Sequence, residues 1–353
     1  MKQNICIFTG ARPNFIKVAP LVRAIEASSR CDYQLVYAGS KDDPTLEPSL
    51  FADLQMAHPD AYLGVDCDNL NELTGRVMTS FEAYLEHHST DVVIVVDDLA
   101  STMAAAIVAK KRGLRLAHLV AGTRSFDIHM PKEINRLVID GLSDLLFTAG
   151  IGSSSIATRE GAEIHKIYMV GNILMDSLRY NHDRWRRPAC LEGIEDGQYL
   201  VFTLNRKALL ADEENLQCML AAICETAGDV PVIAPLREPA RSKVASLTSG
   251  LRLIDSLGYL EFGYLTAHAR GIITDSGNVA EEATFNQVPC ITLNSYTEHQ
   301  ETVKPGTNVL VGEDAGLLRS SLIDLLAGRW KSSSLPDRWD GRTAERILQI
   351  LCP

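Results

Sequence analysis

Two short polar segments follow apolar runs in this 353-residue chain, and their residue types suit the binding of phosphate. Residues 10–14 read Gly-Ala-Arg-Pro-Asn, and a guanidinium at the start of a helix can pair with two phosphate oxygens. Residues 274–278 read Thr-Asp-Ser-Gly-Asn, whose small residues let the backbone approach a diphosphate. Glu281 or Glu282, about a turn later, can accept from ribose hydroxyls. A Gly-Pro turn and an ordinary N-cap are the plainer interpretations of the two segments.

Two further groups of ionisable residues have the types needed for proton transfer. Asp97 and Asp98 follow the apolar run 92–96, and adjacent carboxylates at the end of a strand are candidate acid or base groups. They can equally cap the helix predicted at 101–112. Residues 118–124 and 131–136 carry a histidine, arginines, a lysine and a glutamate, and these side chains can converge on a sugar. The alternative is that they lie at the surface and are solvated.

These segments must be positioned by strands and helices that alternate along the whole chain. Short β-branched runs and helical patterns succeed each other, which is typical of parallel sheets covered by helices. Apolar residues between 69 and 87 recur every three or four positions and predict an amphipathic helix. Ligands of such sheets bind at the carboxyl ends of strands, where the polar segments lie. Strands are predicted at 5–9, 33–38, 92–96, 114–119, 145–148 and 167–170, and again at 199–203, 231–234, 251–254, 271–274 and 289–293.

The length of the chain and the two sets of strands predict two domains. A chain of 353 residues is too long for one core of usual size, and each set of strands suffices for one sheet. We therefore predict an α/β protein with two Rossmann-like parallel-sheet domains that face each other across a cleft. The N-terminal domain is placed at 1–172 and the C-terminal domain at 173–339, with a polar linker at 186–198. A helical pattern at 343–351 lies in a final segment, 340–353, that is expected to fold back onto the first domain.

The composition argues against several classes of protein. The formal net charge of -11 argues against a broad nucleic-acid surface, which needs dense lysine and arginine. No apolar stretch approaches the ~20 residues of a membrane span, and we expect neither a signal peptide nor membrane insertion. The eight cysteines form no Cys-x-x-Cys pair and no zinc-like spacing with histidine. We therefore expect reduced thiols, a soluble cytoplasmic protein, and neither a metal nor a cofactor.

Taken in order, these segments resemble the UDP-N-acetylglucosamine 2-epimerase family over nearly the whole chain. Residues 10–20 are similar to the family's G-T-R-P-E-x-I-K-x-A-P opening, and residues 274–282 are similar to its T-D-S-G-G-x-x-E-E. Residues 121–136 resemble its E-A-G-L-R and P-E-E-x-N-R segments. Further similarities are Gly171-Asn172 to its G-N, Thr297-Glu298 to its T-E-R-P, and residues 306–312 to its G-T-x-x-L-V-G.

The resemblance implies a GT-B-like fold that holds UDP mainly in the second domain, with the sugar facing the first. The family's reaction inverts C2 of the sugar by anti elimination of UDP through a glycal intermediate, followed by re-addition or by release of the free sugar. It requires no metal. The predicted UDP-sugar-binding residues are Arg12, Lys17, Arg206, Ser276, Gly277, Asn278 and Glu282, and the predicted catalytic residues are Asp98, Glu133, Arg136 and Asn205. Of these, Arg12 is assigned to the phosphates, Ser276 and Gly277 to the diphosphate and Glu282 to the ribose. The expected partners are a UDP-N-acetylhexosamine and a second copy of the chain in a homodimer.

The chain departs from the family pattern where protons must be transferred. Val120 replaces the glutamate before Ala-Gly, Lys132 replaces the first glutamate of P-E-E, and Asn205 replaces the histidine of T-x-H-R. Asp97 stands in place of the glycine that precedes the family's aspartate. Other departures are Asn278 for a glycine and His299 for an arginine, and regulation through a second nucleotide-sugar site is expected to be absent.

These departures set the predicted function. Replacing one acid or base commonly slows a reaction ~10²–10⁴-fold, so three replacements should abolish the usual epimerisation unless another group has taken over. Asp98 and Glu133 are the predicted surviving acid/base groups, and Arg136 and Arg206 are predicted to give electrostatic support. We therefore expect a family member that acts on a UDP-amino sugar with altered or impaired isomerase or hydrolase chemistry. The alternatives are a nucleotide-sugar binding protein without catalysis and a GT-B-like glycosyltransferase.

Overall fold

The computed structural model, which describes residues 2–352, contains two parallel β-sheets in two units of the chain. The first unit runs to Tyr180 and resumes at Asp337, and the second unit spans Asn181–Pro336. The predicted α/β class with two parallel sheets is confirmed. Within the described residues, no helix combines the length and the apolar character needed to cross a membrane.

Seven strands form the sheet of the first unit, and all neighbouring strands are parallel. They are β1 (Gln3–Thr9), β2 (Cys31–Tyr37), β3 (Ala61–Tyr62), β4 (Val92–Val96), β5 (Arg115–Ala121), β6 (Leu145–Thr148) and β7 (Ile167–Met169). Their spatial order is β3-β2-β1-β4-β5-β6-β7, so the progression across the sheet reverses between β1 and β4. The carboxyl ends at such a reversal leave a crevice in which α/β proteins bind ligands.

Helices cover this sheet because its central strands are apolar on both faces. All five residues of β4, Val-Val-Ile-Val-Val, are buried. The predicted amphipathic helix is confirmed: the side chain of Asn69 accepts from the backbone N–H groups of Asn71 and Glu72, and Val77 and Phe81 are buried. The helices are α1 (Arg12–Ser28), α2 (Leu50–Leu54), α3 (Leu70–His87), α4 (Ala100–Lys111), α5 (Pro131–Leu142), α6 (Ile151–Arg159) and α7 (Ile173–Asn181), with a 3₁₀ turn at Ile164–Lys166.

The second unit repeats the arrangement with six parallel strands. They are β8 (Leu200–Phe202), β9 (Val232–Pro235), β10 (Arg252–Ile254), β11 (Gly271–Thr274), β12 (Cys290–Thr292) and β13 (Asn308–Leu310). The spatial order β10-β9-β8-β11-β12-β13 reverses between β8 and β11. The helices are α8 (Lys207–Ala211), α9 (Glu213–Ala227), α10 (Ala240–Leu247), α11 (Tyr259–Ala267), α12 (Gly277–Phe285), α13 (Gln300–Val303) and α14 (Ala315–Leu326), with 3₁₀ turns at His182–Arg184 and Ala189–Leu191.

Each strand predicted from the sequence is present, with its ends displaced by a residue or two at most. Two further strands, β3 and β13, were not predicted. Both are short and lie at the edge of a sheet, where Ala61 pairs with Val36 and Asn308 pairs with Cys290. Such strands are formed by pairing with a neighbour and carry little pattern of their own.

The polar segment 186–198 is not a linker, so that prediction is wrong. Leu191 is fully buried in the core of the second unit. Arg187 Nη1 donates to Asp196 Oδ1 at 2.5 Å and to the hydroxyl of Tyr264 at 2.9 Å. These contacts attach the segment to the second unit despite its polar composition.

The first unit extends beyond residue 172, because α7 is attached to α1. Ser177 Oγ donates to the carbonyl of Ile16 at 2.5 Å, which brings α7 into the first unit as far as Tyr180. The last helix, α15 (Thr343–Leu351), lies in the same unit and packs against α1. Its first N–H groups, those of Thr343 and Ala344, donate to the carboxylate of Asp176 at 3.1 and 2.8 Å.

Candidate functional site

The predicted site residues lie near the carboxyl ends of strands, in one set for each unit. In the first unit, Arg12 and Lys17 lie on α1 after β1, Asp98 follows β4, and Glu133 and Arg136 lie on α5 after β5. In the second unit, Asn205 and Arg206 follow β8, Ser276, Gly277 and Asn278 follow β11, and Glu282 lies on α12. The positions after β1 and β4 in the first unit, and after β8 and β11 in the second, flank the reversal of the strand order.

Asp97 links β4 to the start of α1 in the first unit. Its Oδ1 accepts from Lys17 Nζ at 2.6 Å, and its Oδ2 accepts from Asn14 Nδ2 at 2.7 Å. Asn14 Oδ1 in turn accepts from the backbone N–H groups of Gly10 and Ala11 at 2.9 and 3.1 Å. The charge of the buried Lys17, predicted to bind the UDP-sugar, therefore lies against a neighbouring carboxylate.

A buried histidine and its partners hold the backbone of Asp97. Asp97 has a φ of 59°, a left-handed conformation that aspartate tolerates better than most residues. His118 Nε2 lies 3.0 Å from the carbonyl oxygen of Asp97, and His118 Nδ1 lies 2.6 Å from Asp140 Oδ1. Both ring nitrogens of His118 thus face oxygen atoms of Asp97 and Asp140. Burial opposes the charge of Asp140, but His118 and then Arg124 outweigh it and lower the pKa of this carboxyl.

Asp98 and Arg136 form an ion pair beside Asp97. Arg136 Nε and Nη2 lie 2.8 and 2.6 Å from Asp98 Oδ2, and Lys132 Nζ lies 3.5 Å from Oδ1. Burial opposes the charge of Asp98, but Lys132 and then Arg136 outweigh it, so the pKa of this carboxyl lies below its ordinary value. Asp98 is therefore ionised at neutral pH, which suits a proton acceptor and not a proton donor.

Glu133 anchors the loop that precedes α5. Its Oε2 accepts from the backbone N–H and the hydroxyl of Ser125, both at 2.9 Å, and from Arg136 Nη1 at 3.0 Å. Its Oε1 accepts from the backbone N–H of Phe126 at 3.0 Å. Burial opposes the charge of Glu133, but the hydrogen bonds from Ser125, Phe126 and Arg136 outweigh it and lower the pKa of the carboxyl. These contacts favour a positioning role, and the predicted proton transfer by Glu133 stays a prediction.

Arg12 is engaged by a carboxylate in this structure. Its Nε donates to Glu47 Oε2 at 2.5 Å, and its Nη2 pairs with Glu47 Oε1. Such a two-point pair uses the same edge of the guanidinium that binds a phosphate. Phosphate binding by Arg12 therefore requires that Glu47 be displaced or that the ligand use the remaining N–H donors.

Val120 lies at an irregularity in β5. The register with β6 shifts between Leu119 and Ala121, and Val120 has a φ of 74°. A β-branched residue in this left-handed region is strained. The strain coincides with the position where the sequence lacks a proton-transferring side chain.

The start of α12 is the best-formed candidate anion site of the second unit. Ser276 is the N-cap, and its side chain accepts from the N–H of Val279. A Cβ added to Gly277 would meet only His299 Cδ2, at 3.6 Å, so the space beside this first residue of the helix is open. The backbone N–H groups and the helix dipole favour a negative charge here.

Asp275 connects this helix to the loop after β8. Its Oδ2 accepts from the backbone N–H groups of Asn205 and Arg206 at 2.7 and 2.6 Å. Burial raises the pKa of Asp275, although these two hydrogen bonds oppose the rise. Arg206 Nη1 donates to Asn294 Oδ1 at 2.8 Å, and its Nε lies 3.2 Å from Glu313 Oε1. The arginine is thereby held beside α12, whereas the side chain of Asn205 is exposed.

His299 and the two glutamates of α12 occupy the other side of its start. His299 Nδ1 lies 3.0 Å from Oε1 of the buried Glu281. Glu282, predicted to bind ribose, is also buried, and Asn278 is half-buried in the first turn. The ribose role of Glu282 and the nucleotide role of Asn278 stay predictions.

Several residues of these sets were not singled out from the sequence as site residues. Asn14 and Asp275 lie inside the two polar segments, but nothing in the pattern shows that their side chains bind loop N–H groups. Asp140 lies within a helical pattern, which does not show where its side chain points. Its pairing with His118 depends on α5 packing beside β5. Glu47 lies in a loop whose sequence carries no signal for its pairing with Arg12.

Comparisons with known proteins agree over nearly the whole chain. The family model described as UDP-N-acetylglucosamine 2-epimerase matches residues 23–352. The chain is 31% identical over 365 residues to UDP-N-acetylglucosamine 2-epimerase of Methanocaldococcus jannaschii, covering 99% of this chain and 98% of that protein. It is 34% identical over 316 residues to UDP-2,3-diacetamido-2,3-dideoxy-D-glucuronate 2-epimerase of Pseudomonas aeruginosa, covering 88% of each. The crystal structure of the M. jannaschii enzyme in complex with UDP-GlcNAc and UDP has a TM-score of 0.87 over 99% of both chains.

Proposed function

We propose a function from the premise that this chain belongs to the UDP-N-acetylglucosamine 2-epimerase family. The protein binds a UDP-N-acetylhexosamine and eliminates UDP across C1 and C2 of the sugar. The observation that carries the proposal is the open start of α12, where Ser276 caps the helix and Gly277 leaves room for a diphosphate. The similar M. jannaschii enzyme was crystallised with UDP-GlcNAc and with UDP, which supports the same class of ligand.

In the proposed nucleotide site, the diphosphate accepts from the first N–H groups of α12 and from the hydroxyl of Ser276. Arg206 supplies a positive charge from the loop after β8, where Asp275 holds its backbone. Glu282 accepts from the ribose hydroxyls. The chain as a whole has a net charge of -11, so an anion must be attracted by local charges. A helix N-terminus with one adjacent arginine provides that local attraction.

In the proposed chemical step, a carboxylate removes the C2 proton and the C–H electron pair forms the C1=C2 bond. The C1–O bond breaks, and its electron pair leaves on UDP. Asp98 is the proposed base, since its pKa is lowered and it is ionised at neutral pH. Lys132, which is 57% exposed and 3.5 Å from Asp98, is the proposed donor of the proton that returns to C2 as an oxygen of UDP, or of water, adds to C1. A carboxylate of low pKa is a weak base, so the reaction is expected to be slow.

Incubation with UDP-GlcNAc in heavy water tests this proposal. The expected results are deuterium at C2 and released UDP, both lost in Asp98→Asn. Asp144→Asn is the matched control, because Asp144 makes a comparable pair with Lys110 away from these residues. Absence of exchange and of UDP release with every UDP-N-acetylhexosamine tried would rule out the elimination.

A second candidate, nucleotide-sugar binding without turnover, is favoured by a specific observation. The side chain of Val120 has no ionisable group, and the carboxylates of Asp98 and Glu133 both pair with Arg136. A rise in melting temperature with UDP-GlcNAc, without exchange or release, would establish this candidate, because a ligand stabilises the state that it binds.

We further propose a homodimer in the cytoplasm. The dimer rests on the family resemblance, and the location is supported by the free thiols of the cysteines, which suit a reducing compartment. Light scattering coupled to size-exclusion chromatography measures the assembly, and a monomeric mass at working concentrations would refute the dimer.

A further inference from the structure

A second basic region of the first unit lies away from the residues discussed above. A groove of about 790 Å³ is bordered by the second half of α1, the end of α7 and the start of α15. Four arginines line it, Arg23, Arg30, Arg179 and Arg342. Arg12 and Lys17 occupy the opposite, N-terminal end of α1, and Arg30 directly precedes β2, so the groove lies toward the amino ends of the strands.

Three of these arginines, Arg30, Arg179 and Arg342, contact backbone carbonyls or solvent and not carboxylates of the described residues. Arg30 Nη1 donates to the carbonyl of Cys352 at 3.4 Å, and Arg179 Nη1 donates to the carbonyl of Asp340 at 3.0 Å. Among residues 2–352, no carboxylate lies within ion-pairing distance of Arg30, Arg179 or Arg342. Among the described residues that line the groove, these three unpaired arginines and Arg23 therefore stand beside two acids, Asp176 and Glu345, in a chain whose net charge is -11.

Two of the guanidinium groups are held in place. Arg23 lies over the ring of Tyr180, with 3.8 Å from its Cζ to the ring centroid, and donates to the carbonyl of Leu54 at 2.7 Å. The stem of Arg179 packs on Gly341, where an added Cβ would lie 2.6 Å from Arg179 Cδ. Guanidinium groups fixed in this way lose little freedom when they bind an anion, which favours binding.

The acids at the groove do not cancel this charge. Both oxygens of the buried Asp176 accept from the N–H groups that begin α15, so this carboxyl already has partners. Glu345 is exposed and is the one other acid of the lining. Because arginines line several sides of the groove, an anion with several charged groups along its length fits better than a single phosphate.

We propose that this groove binds a polyphosphate-bearing small molecule. Its volume is in the range of small-molecule sites, ~300–1,000 Å³, and Tyr180 at its edge is 43% exposed. The site is independent of the proposed UDP site in the second unit, because the two share no residue.

Titration calorimetry of the whole protein with inorganic tripolyphosphate tests the proposal. Tripolyphosphate is expected to bind, less tightly as salt is raised, and at least about tenfold more weakly in the Arg179→Gln/Arg342→Gln variant. The control is Arg76→Gln/Arg112→Gln, which removes the same charge from exposed positions on α3 and directly after α4. This control is expected to bind as wild type does. If the first variant does not fold, Arg342→Gln alone, an exposed position, gives the same comparison.

The result does not depend on whether the chain binds UDP. Tripolyphosphate that still binds at saturating UDP, and is weakened by the groove variant, establishes the groove. If UDP abolishes the binding of tripolyphosphate and the groove variant has no effect on it, the anion binds elsewhere and the proposal is overturned. The proposal is also overturned if tripolyphosphate does not bind at all. ATP that binds more tightly than tripolyphosphate would extend the site to a nucleotide at Tyr180, and equal affinities would assign it to the phosphate chain alone.

Discussion

At the carboxyl end of β4, two adjacent carboxylates have different partners. Asp97 binds Lys17 and Asn14, whereas Asp98 binds Arg136 and lies near Lys132. A glycine at position 97, as in the family pattern, would leave Lys17 without this carboxylate. The aspartate therefore adds a negative charge where an anionic ligand is expected. Because glycine readily adopts a positive φ, the glycine of the family pattern also explains why the backbone at position 97 is left-handed.

We expect Asp97→Asn to bind UDP-GlcNAc more tightly. The change removes one negative charge beside Lys17, which is worth of order 1 kcal/mol, or about fivefold in affinity. Asparagine also tolerates the left-handed φ. Titration calorimetry measures the effect, and Asp32→Asn, an exposed carboxyl near Lys2, is the charge-matched control. Unchanged or weaker binding by Asp97→Asn would contradict the expectation.

At position 120, we expect Val120→Glu to accelerate deuterium exchange at C2 of UDP-GlcNAc by at least about tenfold. One acid or base group commonly contributes a rate factor of ~10²–10⁴, so tenfold is a conservative expectation. Glutamate also lacks the β-branch that strains valine at a φ of 74°. Val120→Gln has nearly the same shape but no carboxyl. Equal exchange by the glutamate and glutamine variants would show that proton transfer at this position is not what the chain lacks.

Among the elements, α12 has a capping residue that is also the proposed diphosphate ligand. Ser276 accepts from the N–H of Val279 and stands beside the open space at Gly277. The same unit contains a helix with an equivalent cap and no proposed ligand, α14, whose Asp314 accepts from the N–H of Leu317. The pair separates the contribution of a cap to stability from a contribution to binding.

We expect Ser276→Ala to weaken UDP binding about five- to tenfold, because a hydrogen bond to a charged group is lost. Ser276→Ala and Asp314→Ala should each lower the free energy of unfolding by ~1 kcal/mol through the lost cap. Asp314→Ala should leave UDP affinity unchanged. Denaturant unfolding and calorimetry measure the two quantities, and equal loss of affinity in both variants would indicate a general effect of destabilisation.

In the molecule as a whole, the C-terminal segment returns to the first unit and is held there by a buried carboxyl. Asp176 accepts from the N–H groups of Thr343 and Ala344, and Trp339 Nε1 donates to the carbonyl of Ala149 at 3.1 Å. Burial raises the pKa of Asp176 to about 6, although the two N–H donors oppose the rise. The attachment of α15 to the first unit is therefore expected to depend on pH.

We expect Asp176 to make the protein less stable as pH rises from about 4 to about 6. Its folded pKa of about 6 exceeds its ordinary value of 3.8, so the folded state binds the extra proton in this interval. The stability gained by the protonated form is complete below the ordinary value and is lost as pH rises through about 6, a change of at most roughly 3 kcal/mol. Thermal melts of wild type and Asp176→Asn should diverge in slope over this range, and parallel pH dependence would contradict the expectation.

The sequence alone was sufficient for the α/β class, the interior of every predicted strand, the helix over 70–87 and the family, because apolar periodicity and ordered motifs are local properties of the chain. Tertiary structure decided the partners of the charged side chains. Glu47 reaches Arg12, His118 reaches Asp140, and Asp176 reaches α15 across long separations in sequence. Ion pairs and caps of this kind depend on which elements the sheet order makes neighbours, and no spacing along the chain encodes that adjacency.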